Sequence, residues 1–238
     1  MIPLSISERP SPNHGSRGEP ARIDMLVLHY TGMQSAEAAL ERLCDPEVRV
    51  SAHYVVEEAG AIWRLVPEGR CAFHAGLSYW QGQRDLNLVS IGIEIVNPGH
   101  EWGYRPFPDT QMKAVEYLCR NILSRHPIPP HRIVGHSDIA PDRKTDPGEL
   151  FDWARLARNG IGVWPEPSRQ QLDGALDHAR AIINLEAIGY CVAPDIEEPA
   201  VAAFQRHFRP GHVDGIIDGE TAMRLAEVQA AFAQSRGA

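Results

Sequence analysis

The sequence has few cysteines, and none of them forms a closely spaced pair. The four lie far apart in the chain, without any Cys-x-x-Cys motif, at Cys44, Cys71, Cys119 and Cys191. This spacing predicts neither a disulfide framework nor a thiolate metal site. We therefore expect all four to be reduced, buried thiols that pack as small hydrophobic side chains.

Positive charge is also scarce. The chain carries 23 Lys and Arg against 31 Asp and Glu, which gives a formal net charge of -8. Proteins that bind along a phosphate backbone usually carry a basic patch that displaces counterions. The charge balance therefore predicts that the protein has no nucleic-acid partner.

Long apolar runs are absent as well. No segment is long enough to cross a membrane, and residues 1–20 contain no apolar run that resembles the core of a signal peptide. We therefore expect a protein without a membrane span that stays in the cytoplasm. A periplasmic location is the alternative if the amino terminus has been trimmed.

The length of 238 residues predicts one average domain and a smaller second unit, since a domain has about 150 residues. The hydrophobic content of 43% is ordinary for a folded globular protein. We predict an extended segment over residues 1–20, a domain over 21–166 and a three-helix domain over 167–238. We expect the molecule to be a monomer.

Strand and helix patterns alternate over the first 165 residues. The run 25–30 is apolar and ends at a Thr-Gly turn signal, which predicts a buried strand with His29 at its carboxyl end. Residues 51–58 and 61–66 predict a hairpin around Ala59-Gly60, with His53 on its first arm. Apolar residues at helical spacing predict helices over 35–43 and 110–124. The fold class is therefore α/β, with a mixed central β-sheet flanked by helices.

Three polar features interrupt this apolar pattern. His29 ends the first strand, and Glu94 is the only charge in the branched, strand-forming run 89–96. His136 begins a loop, residues 136–148, that is rich in Asp, Pro and Gly. Long loops inside a compact domain are usually functional, so this one is a candidate site.

Together these features are consistent with a metal hydrolase. A catalytic zinc ion takes three protein ligands of nitrogen and oxygen type and keeps a fourth position for water. Two histidines and one carboxylate supply such a set, and the bound water then ionises near neutral pH. The spacing alone leaves an alternative open, in which His29 is a hydrogen-bonded core histidine and the loop is a solvated series of turns.

Five motifs in order carry a resemblance to a known family. They are Leu26-Val-Leu-His-Tyr-Thr-Gly, Ser51-Ala-His-Tyr, Phe73-His-Ala-Gly, Ser90-Ile-Gly-Ile-Glu and Gly135-His-Ser-Asp-Ile-Ala-Pro-Asp-Arg-Lys-Thr-Asp-Pro-Gly. Together they resemble the type 2 N-acetylmuramoyl-L-alanine amidases, a group related in fold to the peptidoglycan recognition proteins. The resemblance covers roughly residues 10 to 165 of this chain.

The resemblance implies a Zn2+ ion bound by His29, His136 and Asp146, a catalytic Glu94 and a catalytic Lys144. The implied reaction is hydrolysis of the amide bond between the lactyl group of muramic acid and L-alanine. Glu94 would act as the general base, and Lys144 would share the charge of the developing oxyanion. For Lys144 the alternative is a surface ammonium paired with a neighbouring Asp.

The resemblance also implies a cleft that binds sugars and carboxylates. His53 and His74 are predicted to line it as hydrogen-bond donors, with structural roles at strand ends as the alternative. Asn97 and Arg143 are predicted to receive carboxylates or sugar hydroxyls. Asp138 and Asp142 are not ligands in this pattern, and we expect them to shape the loop through hydrogen bonds to its backbone.

The last 70 residues have a different character, with helices predicted over 172–185, 201–208 and 221–232. This region resembles the peptidoglycan-binding type 1 module, most specifically at Phe204-Gln205 and Asp214-Gly215. The resemblance implies that the module holds glycan or stem peptide near the active site. The alternative is a structural module that packs on the catalytic domain.

Three functions fit this combination. The first is an amidase of soluble anhydromuramoyl peptides in cell-wall recycling. The second is a periplasmic or lytic amidase that acts on intact peptidoglycan, which the second module favours. The third is a non-catalytic peptidoglycan sensor. It is disfavoured because such proteins lose a zinc ligand, whereas this chain retains all three.

Overall fold

A six-stranded mixed sheet forms the centre of the protein, in a computed structural model that describes residues 5–19, 22–166 and 177–237. Its strands are, in spatial order, β1 (Ile6–Glu8), β5 (Ile62–Arg64), β4 (Tyr54–Val56), β9 (Ser90–Ile95), β3 (Met25–Tyr30) and β10 (Ile133–Gly135). Neighbouring strands are parallel except for the antiparallel pair β4 and β5. The mixed α/β fold predicted from the sequence is confirmed.

Two small antiparallel pairs accompany the central sheet. They are formed by β2 (His14–Ser16) with β6 (Arg70–Ala72), and by β7 (Tyr79–Trp80) with β8 (Gln83–Arg84). β1 and β2 lie in the predicted extended segment, so this part of the chain is built into the sheets.

Among the described residues up to 166, the structure has five α-helices. They are α1 (Ala36–Cys44), α2 (Gly99–Trp102), α3 (Asp109–Leu123), α4 (His136–Ile139) and α5 (Trp153–Arg158). The strands, the hairpin and the two long helices predicted from periodicity are present. The predicted loop 136–148 differs, because it begins with the single turn of α4. The Asp138 carboxylate accepts a hydrogen bond from the backbone N–H of Gly135 at 2.7 Å and so caps this turn.

Alternation along the strands divides the sheet into two different faces. Leu26 and Leu28 of β3 pack with Ile91 and Ile93 of β9 against α3 and α5. Met25 and Val27 point to the opposite face of the sheet. Because side chains alternate along a strand, His29 points to that same face. The metal-site candidates therefore lie on the face that α3 does not cover.

Residues 177–237 contain α6 (His178–Ile188), α7 (Glu197–Phe208) and α8 (Gly219–Gly237). The helices predicted over 201–208 and 221–232 are confirmed within longer ones. The predicted helix 172–185 is present from residue 178, and its residues 172–176 lie outside the described residues. Leu185, Phe204 and Phe232 form one buried cluster with Val27 and Trp80, so these helices share a core with the sheet.

All four cysteines are free, which confirms the absence of a disulfide framework. Cys71 and Cys119 are buried as predicted, whereas Cys44 and Cys191 are only partly buried. Among the described residues, no helix combines the length and the apolar character that a membrane crossing requires.

Candidate metal centre and active site

The sheet register brings the predicted site residues together. His29 of β3 lies directly beside Glu94 of the parallel strand β9. On the other side of β3, Gly135 of β10 pairs with Leu28, so His136 follows at the same edge of the sheet. The carboxyl ends of parallel strands thus bring together three residues that are distant in sequence.

His29, His136 and Asp146 form a tight triangle. The two Nδ1 atoms lie 3.0 Å apart, and Oδ2 of Asp146 lies 3.1 Å from each of them. All three side chains are buried, with exposures of 1%, 4% and 6%. Zinc–ligand bonds of about 2.0–2.1 Å in tetrahedral geometry place ligand atoms about 3.3 Å apart. The triangle therefore has the size that a zinc ion requires.

A hydrogen-bond chain fixes the orientation of the His29 ring. Ser90 Oγ donates to the carbonyl of Leu86 at 2.6 Å, so it accepts from Nε2–H of His74 at 3.1 Å. His74 Nδ1 then accepts from Nε2–H of His29, also at 3.1 Å. This polarity leaves Nδ1 of His29 as the unprotonated nitrogen that faces the triangle.

His136 is oriented by the main chain. Its Nε2–H donates to the carbonyl of Ala75 at 3.3 Å, which leaves Nδ1 free toward the triangle. The backbone N–H of Ser137 donates to the carbonyl of Asp146 at 2.8 Å, so both ends of the loop are held together. Both imidazoles therefore present a lone pair to the same point.

The electrostatics of the triangle suit a cation. Burial and the neighbouring His136 lower the pKa of His29 to about 4, so the ring is neutral at pH 7. Burial opposes ionisation of Asp146, but His136 and His29 outweigh it and lower the pKa of that carboxyl below its ordinary value. A neutral imidazole and a carboxylate, held together and away from water, are ligands that zinc accepts.

Glu94 lies beside the triangle without belonging to it. Its Oε2 is inaccessible to solvent and has no hydrogen-bond partner among the described residues. Burial raises the pKa of Glu94 well above its ordinary value, and the charge of Asp146 adds to the effect, while Lys144 opposes it. A carboxyl whose pKa is moved toward neutrality is suited to general acid–base work.

A cavity of about 370 Å³ opens over these groups. Glu94, His136 and Asp146 lie on its wall together with Lys144 and Arg143. Other side chains complete the lining: Tyr30, Thr31, Met33, Ala39, Arg42, Leu43, Val50, Ser51, Phe73, His74 and Thr145. The cavity therefore combines two carboxylates with several cationic groups at the predicted metal centre.

The structure brings some predicted substrate contacts to this cavity and not others. His53 is fully buried, where its Nδ1 accepts from the Gly92 N–H at 3.0 Å. Asn97 is also buried and donates to the carbonyl of Arg105 at 2.7 Å. Neither is among the residues that line the cavity. The hydrogen bonds of both side chains fit the structural alternative, and their contact with substrate stays a prediction.

His74 and Arg143 do reach the cavity. Both ring nitrogens of His74 are engaged by His29 and Ser90, which makes His74 a hydrogen-bond partner of the candidate ligand His29. Arg143 is held by the carbonyl of Ala75 at 2.6 Å, and its contact with substrate stays a prediction. Asp138 accepts a hydrogen bond from the backbone N–H of Gly135 at the start of the loop, as the sequence predicted for it.

Sequence reasoning missed Ser90 and Gly92, although the pattern contains a signal for both. Ser90, Gly92 and Glu94 alternate along β9 and therefore share one face. A Cβ atom at Gly92 would lie 2.4 Å from Cγ of His74, so only glycine leaves room for that ring. A small and polar face within an otherwise apolar strand thus marks the side of the sheet that carries the site.

Two imidazoles and a carboxylate form a group that could hold a metal ion, and the Glu94 carboxyl lies beside it at an open cavity. Such an arrangement is typical of metal-dependent hydrolases. The family model for N-acetylmuramoyl-L-alanine amidase matches residues 19–149. The chain belongs to the N-acetylmuramoyl-L-alanine amidase family, and it is an enzyme of that class.

Individual relatives agree with this assignment. N-acetylmuramoyl-L-alanine amidase AmiD of Escherichia coli is 40% identical over 223 residues, which are 84% of this chain and 80% of that protein. A structure of E. coli AmiD in complex with anhydro-N-acetylmuramic acid-L-Ala-D-gamma-Glu-L-Lys has a TM-score of 0.78 at 37% identity, and covers 89% of this chain and 91% of that one. The structure of AmpDh3 from Pseudomonas aeruginosa with an anhydromuramic pentapeptide has a TM-score of 0.78 at 33% identity, with coverages of 92% and 94%.

Proposed function

We propose that this amidase is zinc-dependent and cleaves the bond between the lactyl group of (anhydro-)N-acetylmuramic acid and L-alanine of stem peptides, in cell-wall recycling or turnover. The observation that carries the proposal is the buried His29–His136–Asp146 triangle with Glu94 in register beside it. AmiD and AmpDh3, both similar over about nine-tenths of this chain, have structures with anhydromuramyl peptides, which supports this substrate class.

The chain's own residues supply the remaining chemistry. A zinc ion at the triangle would polarise a water molecule and lower its pKa toward neutrality. The Glu94 carboxylate would accept a proton from the attacking water and return it to the amide nitrogen as the C–N bond breaks. The products are the lactyl carboxylate and the free amine of L-alanine.

Lys144 has a separate role in this proposal. It lines the cavity beside Glu94, and its positive charge acts on both Glu94 and His29. An ammonium at this position stabilises the carbonyl oxygen as it gains negative charge. We therefore assign Lys144 to the oxyanion and Glu94 to the proton.

The experiment compares two substrates with and without chelator. Zinc-loaded protein is incubated with anhydromuramoyl tripeptide and with intact sacculi, and released stem peptide is measured by mass spectrometry. We expect release from the soluble peptide that chelator abolishes and added zinc restores, with Asp146→Ala as the inactive control. No release from either substrate would contradict the proposal. Faster cleavage of sacculi would favour the lytic alternative over recycling.

For the C-terminal helices we propose a structural role first, because they share a buried core with the sheet. Peptidoglycan binding, which the sequence resemblance implies, is the second candidate. Glu94→Gln protein can be sedimented with sacculi while excess anhydromuramoyl tripeptide occupies the cavity. Binding to sacculi that persists under this competition would favour a second binding surface on the C-terminal module. If the tripeptide abolishes binding to sacculi, only the structural role of the module remains supported.

A further inference from the structure

Asp138 is a buried carboxylate that the proposed reaction does not use. It lies on α4, two residues after the ligand His136, and is 1% exposed. It accepts three hydrogen bonds: from the Gly135 N–H at 2.7 Å, from Nδ1–H of His207 at 2.7 Å and from the Tyr190 hydroxyl at 2.6 Å. Such a set of short, buried bonds holds a carboxylate in one position.

Two of these three donors come from the C-terminal helices. Tyr190 follows α6 and His207 lies on α7, and both side chains are buried. The His207 ring is stacked between Trp153 and Phe208, with centroid distances of 3.9 Å on both sides. The donors therefore have little freedom to follow Asp138 if α4 moves, so they fix its position.

The third donor connects Asp138 to the metal loop. Gly135 immediately precedes His136, and its bond to Asp138 sets where α4 begins. A Cβ atom at Gly135 would lie 2.7 Å from Cδ of Pro147, so this backbone also packs directly against the residue after Asp146. A displacement of Asp138 would thus move the backbone that carries two of the three ligands.

We propose that Asp138, Tyr190 and His207 form a positioning network through which the C-terminal helices hold the metal loop in its zinc-binding geometry. None of the three side chains lines the cavity, so the network acts through His136 and Asp146 and not on the substrate. The proposal rests on the zinc dependence proposed above. In this proposal the C-terminal module helps to hold the metal-binding loop in place.

Conservative variants isolate the hydrogen bonds from the packing. Tyr190→Phe removes only the hydroxyl, and His207→Phe keeps a flat ring in the stack while removing the Nδ1–H donor. Asp138→Asn removes the negative charge and replaces one of the two acceptor oxygens by an NH2 group, so the side chain can no longer accept from Gly135, His207 and Tyr190 together. The matched control is Tyr54→Phe, which deletes another buried tyrosine hydroxyl, bonded to Glu68 at 2.8 Å in the other packing cluster of the sheet.

The main measurement is the rate of zinc release from each full-length protein to a chromogenic chelator. Residues that support metal ligands typically change metal affinity or activity by about 10- to 100-fold. We expect roughly 10-fold faster release from Asp138→Asn and from the Tyr190→Phe/His207→Phe double variant. Tyr54→Phe should release zinc at the wild-type rate. In zinc-saturated assays, kcat should fall for the network variants while KM is unchanged.

The outcomes separate this inference from the function on which it rests. If wild-type protein retains no zinc, the zinc dependence itself is wrong. If wild-type protein binds zinc and the network variants release it no faster than Tyr54→Phe does, the positioning network is wrong. Thermal unfolding of the metal-free proteins checks folding, and a variant that is destabilised as much as Tyr54→Phe yet releases zinc faster supports the proposal.

Discussion

Glu94→Gln should separate metal binding from proton transfer. Oε2 of Glu94 has no hydrogen-bond partner among the described residues, so replacing it with an amide nitrogen breaks no bond that the structure shows. Glutamine has nearly the same volume, and the His29–His136–Asp146 triangle does not include position 94. We therefore expect the variant to bind zinc with wild-type stoichiometry and release rate.

The expected loss of activity follows from the role of Glu94 as general base. General acid–base catalysis contributes about 10²- to 10⁴-fold, so kcat should fall by that range, equivalent to roughly 3–5 kcal/mol in activation free energy. The stability of the metal-free variant, in contrast to its activity, should not fall. Burial raises the pKa of Glu94, so the ionised carboxylate opposes folding of the metal-free protein as the pH rises above 4.5. The amide removes that cost, and the melting temperature at pH 7 should be equal or higher.

The assay is release of stem peptide from anhydromuramoyl tripeptide, with zinc content measured on the same samples by atomic absorption. Asp146→Asn is the control for the opposite behaviour, since it should lose zinc and activity together. A Glu94→Gln protein with full activity would refute the assignment of the base. A variant that lost its zinc would show that Glu94 supports the metal instead.

Three further perturbations follow from the packing. Gly92→Ala places Cβ 2.4 Å from Cγ of His74, so it should cost roughly 1–3 kcal/mol in denaturant unfolding and weaken zinc retention about 10-fold. The bonds of Glu68 to Arg125, His126 and Tyr54 outweigh its burial and lower its pKa to about 2. Stability should therefore fall by about 1–2 kcal/mol, after allowance for solvent screening, as pH drops from 4.5 toward 2. A chain cut after residue 166 loses the helices that cover Val27 and Trp80, so it should aggregate and bind a hydrophobic dye.

Each of these perturbations has its own control. Gly69→Ala has no atom within 4 Å of the new Cβ and should leave zinc retention unchanged; a similar loss there would remove the steric explanation. Glu68→Gln should flatten the acid limb of the stability profile, and an unchanged limb would mean that other carboxyls set it. A soluble, monomeric fragment 1–166 with wild-type zinc affinity would show that the sheet does not need the C-terminal helices.

Alternation and strand position were sufficient to predict that His29 and Glu94 lie at one edge of the sheet. His29 and Glu94 each stand out in an apolar strand, and parallel neighbours bring their carboxyl ends to one edge. Asp146 could be selected from the several aspartates of its loop only through the family resemblance, because no local spacing distinguishes it. The hydrophobic pattern therefore locates a site in the fold. Which residue of a loop faces that site depends on the conformation that the loop adopts in the folded protein.

The positions of His53, His74 and Asn97 relative to the cavity could not be predicted, for a physical reason. A histidine in a strand looks the same in sequence whether its ring faces a cavity or bonds to a backbone N–H, and His53 does the latter. The position of His74 depends on the missing side chain at Gly92, which is a contact between separate segments. The spacing of residues within either segment does not reveal a contact between the two segments.

The two histidines of the proposed zinc site are held in different ways. His29 is oriented by side chains anchored in the central sheet, through His74 to Ser90. The His136 ring is oriented by the backbone carbonyl of Ala75, and its backbone lies in α4, whose position depends on Asp138 and its partners in the C-terminal part of the chain. Local opening is easier in loops than in central strands. Zinc loss should therefore begin at His136 and Asp146, and sequence changes in the C-terminal helices should affect metal retention before they affect the fold of the sheet.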